Sequence, residues 1–301
     1  MCSCTATIHA FRLIRWFHTY YACGGLGLWL LDRCIRIVRR CDPVTISSVT
    51  VNKEAGVTVL QLAKANFTFY AGQYIWLNVP CISHMEWHPF TVSSPPSADK
   101  LTLHVKNMGP NTFTAKLMWV TDTYPLEAIK LRVDGPYGRP LYFDEVENLI
   151  LVAGGIGVTP MHSILMEIYN RARAGMDVGR IKTVTLVWAV RQAELLHMFN
   201  DMQEVARDNF VQVKFDFSFH ITGAASYASL GPSSRPGEHE LVDVVSSFAK
   251  AGRPDLMTVG GGFSTGRNTM VMVCGPEQMI TAASDMAAYY DFAFHHEVFT
   301  F

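Results

Sequence analysis

Leu149–Pro160 reads LILVAGGIGVTP. An apolar run that breaks into glycine predicts a buried parallel strand, a tight turn and the start of a helix. Gly154, Gly155 and Gly157 permit backbone conformations and close approaches that a Cβ would block. Pro160 suits a first helical turn, where its missing N–H has no partner to lose. The unpaired amides of such a helix start can face a phosphate. On its own the stretch is equally consistent with an ordinary tight turn between strand and helix, so its neighbours decide.

C-terminal to it, strand and helix alternate. VTLVWAV from Val184, VKFDFSF from Val213 and MVMVC from Met270 read as strands; Met161–Ala174, Glu194–Ala206, Glu240–Ala251 and Glu277–Tyr289 read as helices. This rhythm predicts a doubly wound parallel sheet. Gly223–Pro236, rich in Gly, Ser, Ala and Pro, reads as a mobile surface loop. N-terminal to the glycines, from Val44 to Phe143, the texture is different. VTISSVTV, GVTVLQLA, QYIWLNVP and LTLHVKN are short β-branched runs separated by turn residues, which predicts a small antiparallel barrel. Pro43 and an Asp134-Gly135-Pro136 turn mark its ends. A helix at Asn111–Val120, capped by Asn111 or Thr112, interrupts it. The expected organisation is residues 1–41 as the end of a membrane region, 42–143 as the barrel and 144–301 as the α/β domain.

The 301 residues have room for about two domains, and 49% hydrophobic content suffices for their cores. With 25 basic and 26 acidic residues, nothing suggests a nucleic-acid surface. Seven cysteines, an odd number without CxxC spacing, indicate neither a disulfide framework nor a metal site and fit a reducing compartment. Phe17–Leu31, FHTYYACGGLGLWLL, is apolar, and Asp32, Arg33, Arg36, Arg39 and Arg40 follow it. A spanning helix needs about 20 apolar residues, so this one is short, with Arg12 and Arg15 blocking its extension. It reads as a membrane helix or membrane-embedded end with its basic flank in the cytosol, or else as a buried or interfacial helix. The basic residues follow the apolar run, which argues against a cleaved signal peptide.

HPFTVSS, His88–Ser94, follows Trp87 on a barrel strand. An aromatic beside hydroxyls could hold a flat heterocycle, although a half-buried strand with a proline bulge would look the same.

Together, HPFTVSS, VDGPYG at Val133–Gly138, AGGIGVTP, VCGPEQM at Val273–Met279 and an aromatic C-terminus resemble, in order and spacing, the cytosolic ferredoxin-reductase-type half of the ferric reductase and NADPH oxidase superfamily. GLWLLDRCIRIVRR resembles the end of that family's last membrane helix. The resemblance implies an enzyme with FAD in the barrel and NADPH in the α/β domain. It places His88, Pro89, Phe90 and Thr91 against FAD, with Ser93 and Ser94 close behind. It assigns the flavin pyrophosphate to His104, Lys106 and the helix start at Gly109, Asn111 and Thr112, where positive charge and free amides would serve a diphosphate. Gly154, Gly155, Gly157, Val158, Thr159 and Pro160 would receive the NADPH pyrophosphate. Thr222 and Arg253 would lie near the adenosine end, with Arg253 able to pair with a 2′-phosphate. Cys274, followed by Gly275 and Pro276, would lie by the reactive nicotinamide carbon, and Phe299 or Phe301 would be the ring that swings aside. A solvated loop arginine and a buried structural cysteine are the plain alternatives for Arg253 and Cys274.

The resemblance also implies that electrons go on to haems held on earlier membrane helices. His9 and His18 lack the paired arrangement of haem ligands, so haem is expected only in an upstream membrane region or a partner. The chain then reads as a truncated form of a longer membrane reductase, or as a separate flavoprotein subunit. Ferric chelate is the expected acceptor, with superoxide-producing oxidase as the alternative and an inert membrane adaptor as a third reading.

Overall fold

The computed structural model describes residues 20–34, 44–63, 67–143, 145–208, 212–223 and 248–297. The expected loop at 223–236 after its first residue, most of the expected helix at 240–251, and Phe299 and Phe301 lie outside them. Residues 20–34 form an exposed helix, α1. Among the described residues no helix is long and apolar enough to cross a membrane.

The first domain is two three-stranded antiparallel sheets. One is ordered β1 (Thr45–Asn52), β2 (Val57–Ala63), β5 (Leu101–Lys106); the other β4 (His88–Thr91), β3 (Tyr74–Asn78), β6 (Arg132–Tyr137). Two seams join them into a barrel. At one, Val44 bridges Leu131; at the other, the Ser93 amide donates to the Thr102 carbonyl at 2.9 Å. HPFTVSS therefore supplies both strand β4 and a seam. The alternating inward residues Leu60, Leu62, Ile75, Leu77, Leu101, Leu103 and Val105 fill one core with Phe113, Leu117 and Val120 of α2 (Phe113–Thr123), each such burial contributing about 1.5–3 kcal/mol. Thr112, not Asn111, caps α2: its side chain accepts from the Ala115 amide. The expected Asp134-Gly135-Pro136 turn is instead part of β6. The strand continues because a shift in its register with β3 absorbs the irregularity and because Gly135 lies against Ile75 so closely that a Cβ would stand 3.0 Å from it.

The second domain is a six-stranded, all-parallel sheet, ordered β10 (Ala249–Ala251), β9 (Lys214–Ile221), β8 (Thr183–Val190), β7 (Asn148–Gly154), β11 (Thr269–Cys274), β12 (Ala293–His296). β7 is apolar without interruption because both its faces are covered. Leu149, Leu151 and Ala153 pack with Met161, Ile164 and Leu165 of α3 (Val158–Arg173), while Ile150 and Val152 pack with Ala283 and Met286 of α6 (Glu277–Tyr289) and Leu256 of α5 (Leu256–Gly260).

Three helix expectations shift. Glu194–Ala206 is a 3-10 stretch, Ala193–Phe199, followed by α4 (Asp201–Arg207), a winding that turns Leu195, Leu196 and Phe199 inward. The end of Glu240–Ala251 is strand β10, paired with β9. The start at Met161 moves back to Val158, directly after the glycines.

Candidate functional site

From β7 the chain moves outward through β8, β9 and β10 on one side, then returns to place β11 and β12 on the other. The reversal falls between β7 and β11, and ligands of open α/β sheets bind beyond the strand ends at such a point. The two glycine motifs occupy those ends. A Cβ on Gly154 would lie 2.6 Å from Pro276 Cδ, and one on Gly157 would collide with the Cys274 carbonyl oxygen. Gly275 is similarly crowded: a Cβ there would lie 2.9 Å from Met279 Sδ and 3.1 Å from the Gly154 amide nitrogen. These three residues are glycine so that two backbones can touch. Gly155 differs: its φ is +56° and a Cβ would meet nothing, so its face is open to solvent. Its carbonyl accepts from the buried Trp188 indole at 2.8 Å, which pins the turn. α3 begins there without a side-chain cap. Val158 and Pro160 are buried and can contribute backbone only, while the Thr159 hydroxyl donates to the Ile156 carbonyl.

Opposite this turn lies a cleft of about 420 Å³. The structure brings His88, Pro89, Phe90, Thr91, His104, Lys106 and Thr112 into its lining, together with Ile156 and Thr159 from the glycine turn. The wall is largely aromatic. The His88 ring stacks on Phe113 at 4.1 Å, Phe90 stacks behind at 6.2 Å, and Trp76 and Trp87 complete the lining. His88 Nε2 makes no hydrogen bond, its carboxylate neighbour Glu86 standing at 3.7 Å; a polar atom with hydrogen-bonding capacity left in a largely aromatic wall suits a ligand that is flat, apolar on its faces and polar at its edge.

Ser93 and Ser94 stand behind the wall: Ser93 is fully buried, its hydroxyl 2.7 Å from His104 Nδ1 and 2.9 Å from the Thr102 carbonyl, and the Ser94 hydroxyl accepts from the Thr102 amide. Part of the turn into α2 is satisfied internally. The Gly109 amide donates to Asn107 Oδ1, that of Met108 to Thr114 Oγ1, and that of Ala115 to Thr112 Oγ1; Asn111 serves the turn with a φ of 65°. His104 carries no positive charge. Burial, then the neighbouring His162, lower its pKa from 6.5 to about 3, and its ring stacks on Phe199 at 4.2 Å. Lys106 is left as the cation of the cleft lining.

Around the sheet edge, the Thr222 amide and hydroxyl both donate to the Val190 carbonyl, tying β9 to β8. Arg253 is exposed and donates to Gln278 Oε1 at 3.3 Å, over the start of α6. Cys274 is buried, its thiol pushed up to about 12 by burial and by Glu297. It is therefore a protonated packing group at neutral pH and not a nucleophile. The Glu297 amide continues the parallel pairing by donating to the Val273 carbonyl.

Arg191 is exposed directly after β8, at the carboxyl edge of the sheet, a basic residue after VTLVWAV that no motif singles out. The motifs also missed His162 and Asp201, whose Nε2 to carboxylate contact of 2.9 Å joins positions far apart in sequence and so leaves no local pattern.

A closed antiparallel barrel whose cleft is completed by the switch point of a parallel sheet defines the ferredoxin-reductase-type class of flavin and nicotinamide folds. A cytochrome P450 reductase of Amycolatopsis shares the arrangement, with a TM-score of 0.60 at 22% identity over 86% of this chain and 69% of that one. Residues 43–141 match the FAD-binding domain family and residues 146–288 the ferric reductase NAD binding domain family. The chain is 28% identical over 214 residues to NADPH oxidase 1 of Mus musculus, covering 68% of this chain and 36% of the relative. It is 33% identical over 217 residues to the chloroplastic ferric reduction oxidase 7 of Arabidopsis thaliana, covering 66% and 28%. The chain belongs to the ferric reductase and NADPH oxidase superfamily. It spans about a third of the length of these two relatives.

Proposed function

We propose that this chain is the electron-entry half of an NADPH-dependent, FAD-containing oxidoreductase that delivers electrons to a membrane haem chain and thence to ferric chelate. One observation carries the reading: a single cleft is lined from one side by His88–Thr91, His104, Lys106 and Thr112 and from the other by Ile156 and Thr159 of the glycine turn. A ligand in the barrel and a ligand on the turn would meet there.

His88, Phe90 and Thr91 would hold the flavin, the aromatic wall matching its flat face and the His88 nitrogen its polar edge. Lys106 would neutralise the flavin diphosphate. FAD, when bound, supplies a centre that accepts two electrons together and releases them singly. Gly155 and the uncapped start of α3 would receive the NADPH diphosphate. Arg253 and Arg191, both exposed at the carboxyl edge of the sheet, would meet the adenosine phosphate end. Cys274 would act by shape, filling the floor beside Gly157 with a neutral thiol, and Phe299 or Phe301 would cover the flavin ring. The domain limits that fit this division are 42–143 and 144–301, with residues 1–41 toward the membrane and both nucleotide domains in the cytosol.

Ferric chelate as acceptor draws its support from the ferric reduction oxidase likeness. Superoxide production is the second reading, supported by the likeness to NADPH oxidases. The test is a membrane preparation of the full-length protein given NADPH: reduction of a ferric chelate without matching oxygen consumption supports the first reading, and oxygen consumption with superoxide formation contradicts it.

A further inference from the structure

His162 lies in the second turn of α3 and is 3% exposed. Its ring nitrogens reach in opposite directions. Nδ1 is 2.6 Å from the Ser93 carbonyl oxygen, on the barrel seam; Nε2 is 2.9 Å from both carboxylate oxygens of Asp201, at the start of α4. A carbonyl can only accept, so Nδ1 carries a hydrogen; on the other side the ring and the carboxylate share a proton. Burial raises the Asp201 carboxyl pKa, and the adjacent His162 more than offsets that, leaving it below the ordinary range. Ser93 is thus gripped twice, its carbonyl by His162 and its hydroxyl by His104.

The surroundings make this bridge a rigid joint. Phe199 lies between the two imidazoles, 4.2 Å from His104 and 4.9 Å from His162, and meets the Trp188 edge at 5.4 Å. Trp188 in turn holds the Gly155 carbonyl. Further along α3 the Ser163 hydroxyl donates to the Ser94 carbonyl, Glu167 accepts from the Ser97 amide and Asn170 donates to the Ser97 hydroxyl. Of these crossings His162 stands nearest the cleft. Ser93 is two residues beyond Thr91 and His162 three beyond Thr159, and both threonines line it.

We infer that His162, oriented by Asp201, is a positioning residue that fixes the separation of the two cleft walls and thereby the alignment of the nicotinamide with the flavin. This rests on the function proposed above. Transfer between two bound rings is steep in geometry, a displacement of about 1 Å costing on the order of 100-fold. Binding of NADPH, which uses the turn and sheet edge, is not.

The test compares the full chain with His162→Gln, which can hydrogen-bond to one side only, and Asp201→Asn, a milder change at a half-exposed position. In FAD-loaded protein, stopped-flow bleaching of flavin by NADPH is expected to slow roughly 10- to 100-fold in His162→Gln and less in Asp201→Asn, with the NADPH concentration for half-maximal rate little changed. In cofactor-free protein, amide hydrogen exchange over residues 92–97 and 155–163 is expected to accelerate in both variants. Equal exchange in variant and unaltered chain would overturn the clamp, and so would a defect confined to NADPH affinity. Flavin that stays oxidised in the unaltered chain would instead overturn the functional reading. Should His162→Gln fail to fold, Asp201→Asn decides by the same criteria.

Discussion

The two walls of the cleft are built from opposite materials. The barrel wall is made of side chains: His88, Phe90, Phe113, Trp76 and Trp87 supply faces, and Lys106 supplies charge. The sheet side reaches the cleft through Ile156 and Thr159, carried on a turn that backbone shapes: Gly154, Gly157 and Gly275 let β7 and β11 close on one another, and Gly155 presents an open turn. A site of side chains is damaged by removing atoms, and a site of backbone by adding them. The difference suits a flavin that stays and a nicotinamide that comes and goes, because wide aromatic contact gives long residence while a bare turn gives a phosphate a foothold that it can leave.

The largest effect expected from this contrast is on the barrel side. Phe113, 6% exposed, supports His88, so Phe113→Ala should cost about 3–5 kcal/mol in denaturant unfolding and should release flavin. On the sheet side, Gly157→Ala should cost about 1–3 kcal/mol through overpacking against Cys274 and raise the NADPH requirement. Gly155→Ala, with open space but φ of +56°, should cost about 1–2 kcal/mol from backbone strain alone. Should Gly155→Ala prove as damaging to packing as Gly157→Ala, the division into touching and open glycines would be wrong.

Smaller effects test the joint between the walls. His104 has a folded pKa of about 3 against 6.5, so the unfolded chain takes up this proton first. Its contribution therefore favours folding above pH 6.5 and declines as pH falls from 6.5 toward 3, by at most about 1.4 kcal/mol per pH unit. Urea midpoints across that range should fall with acidity, and His104→Gln should flatten the slope. Smallest is a chemical contrast. Cys81 is exposed and Cys274 buried, so a thiol reagent at neutral pH should label Cys81 in the native chain and Cys274 only after unfolding; prompt native labelling of Cys274 would contradict the packing role.

Much of this was legible in the residues. LILVAGGIGVTP encodes its strand, turn and helix locally, since an apolar run buried on both faces and a glycine turn each leave a compositional mark. HPFT was legible as a strand, and its expected place at a ligand came only from the resemblance. What stayed hidden depends on tertiary partners. Ser93 looks no different from a ligand-facing hydroxyl until the seam with Thr102 turns it inward. His104 reads as a cation until Phe199 and His162 bury it. Glu194–Ala206 carries a helical pattern, yet the burial of Phe199 between two imidazoles rewinds its first half. Ala249–Ala251 becomes strand only because β9 offers it an edge.

The most direct measurement is anaerobic titration of the purified, FAD-loaded chain with NADPH, followed by flavin absorbance. Stoichiometric bleaching of the flavin band by NADPH, in protein showing no haem bands, is the expected result. Failure to retain FAD, or a bound flavin that NADPH leaves oxidised, would contradict the meeting of two nucleotides in one cleft.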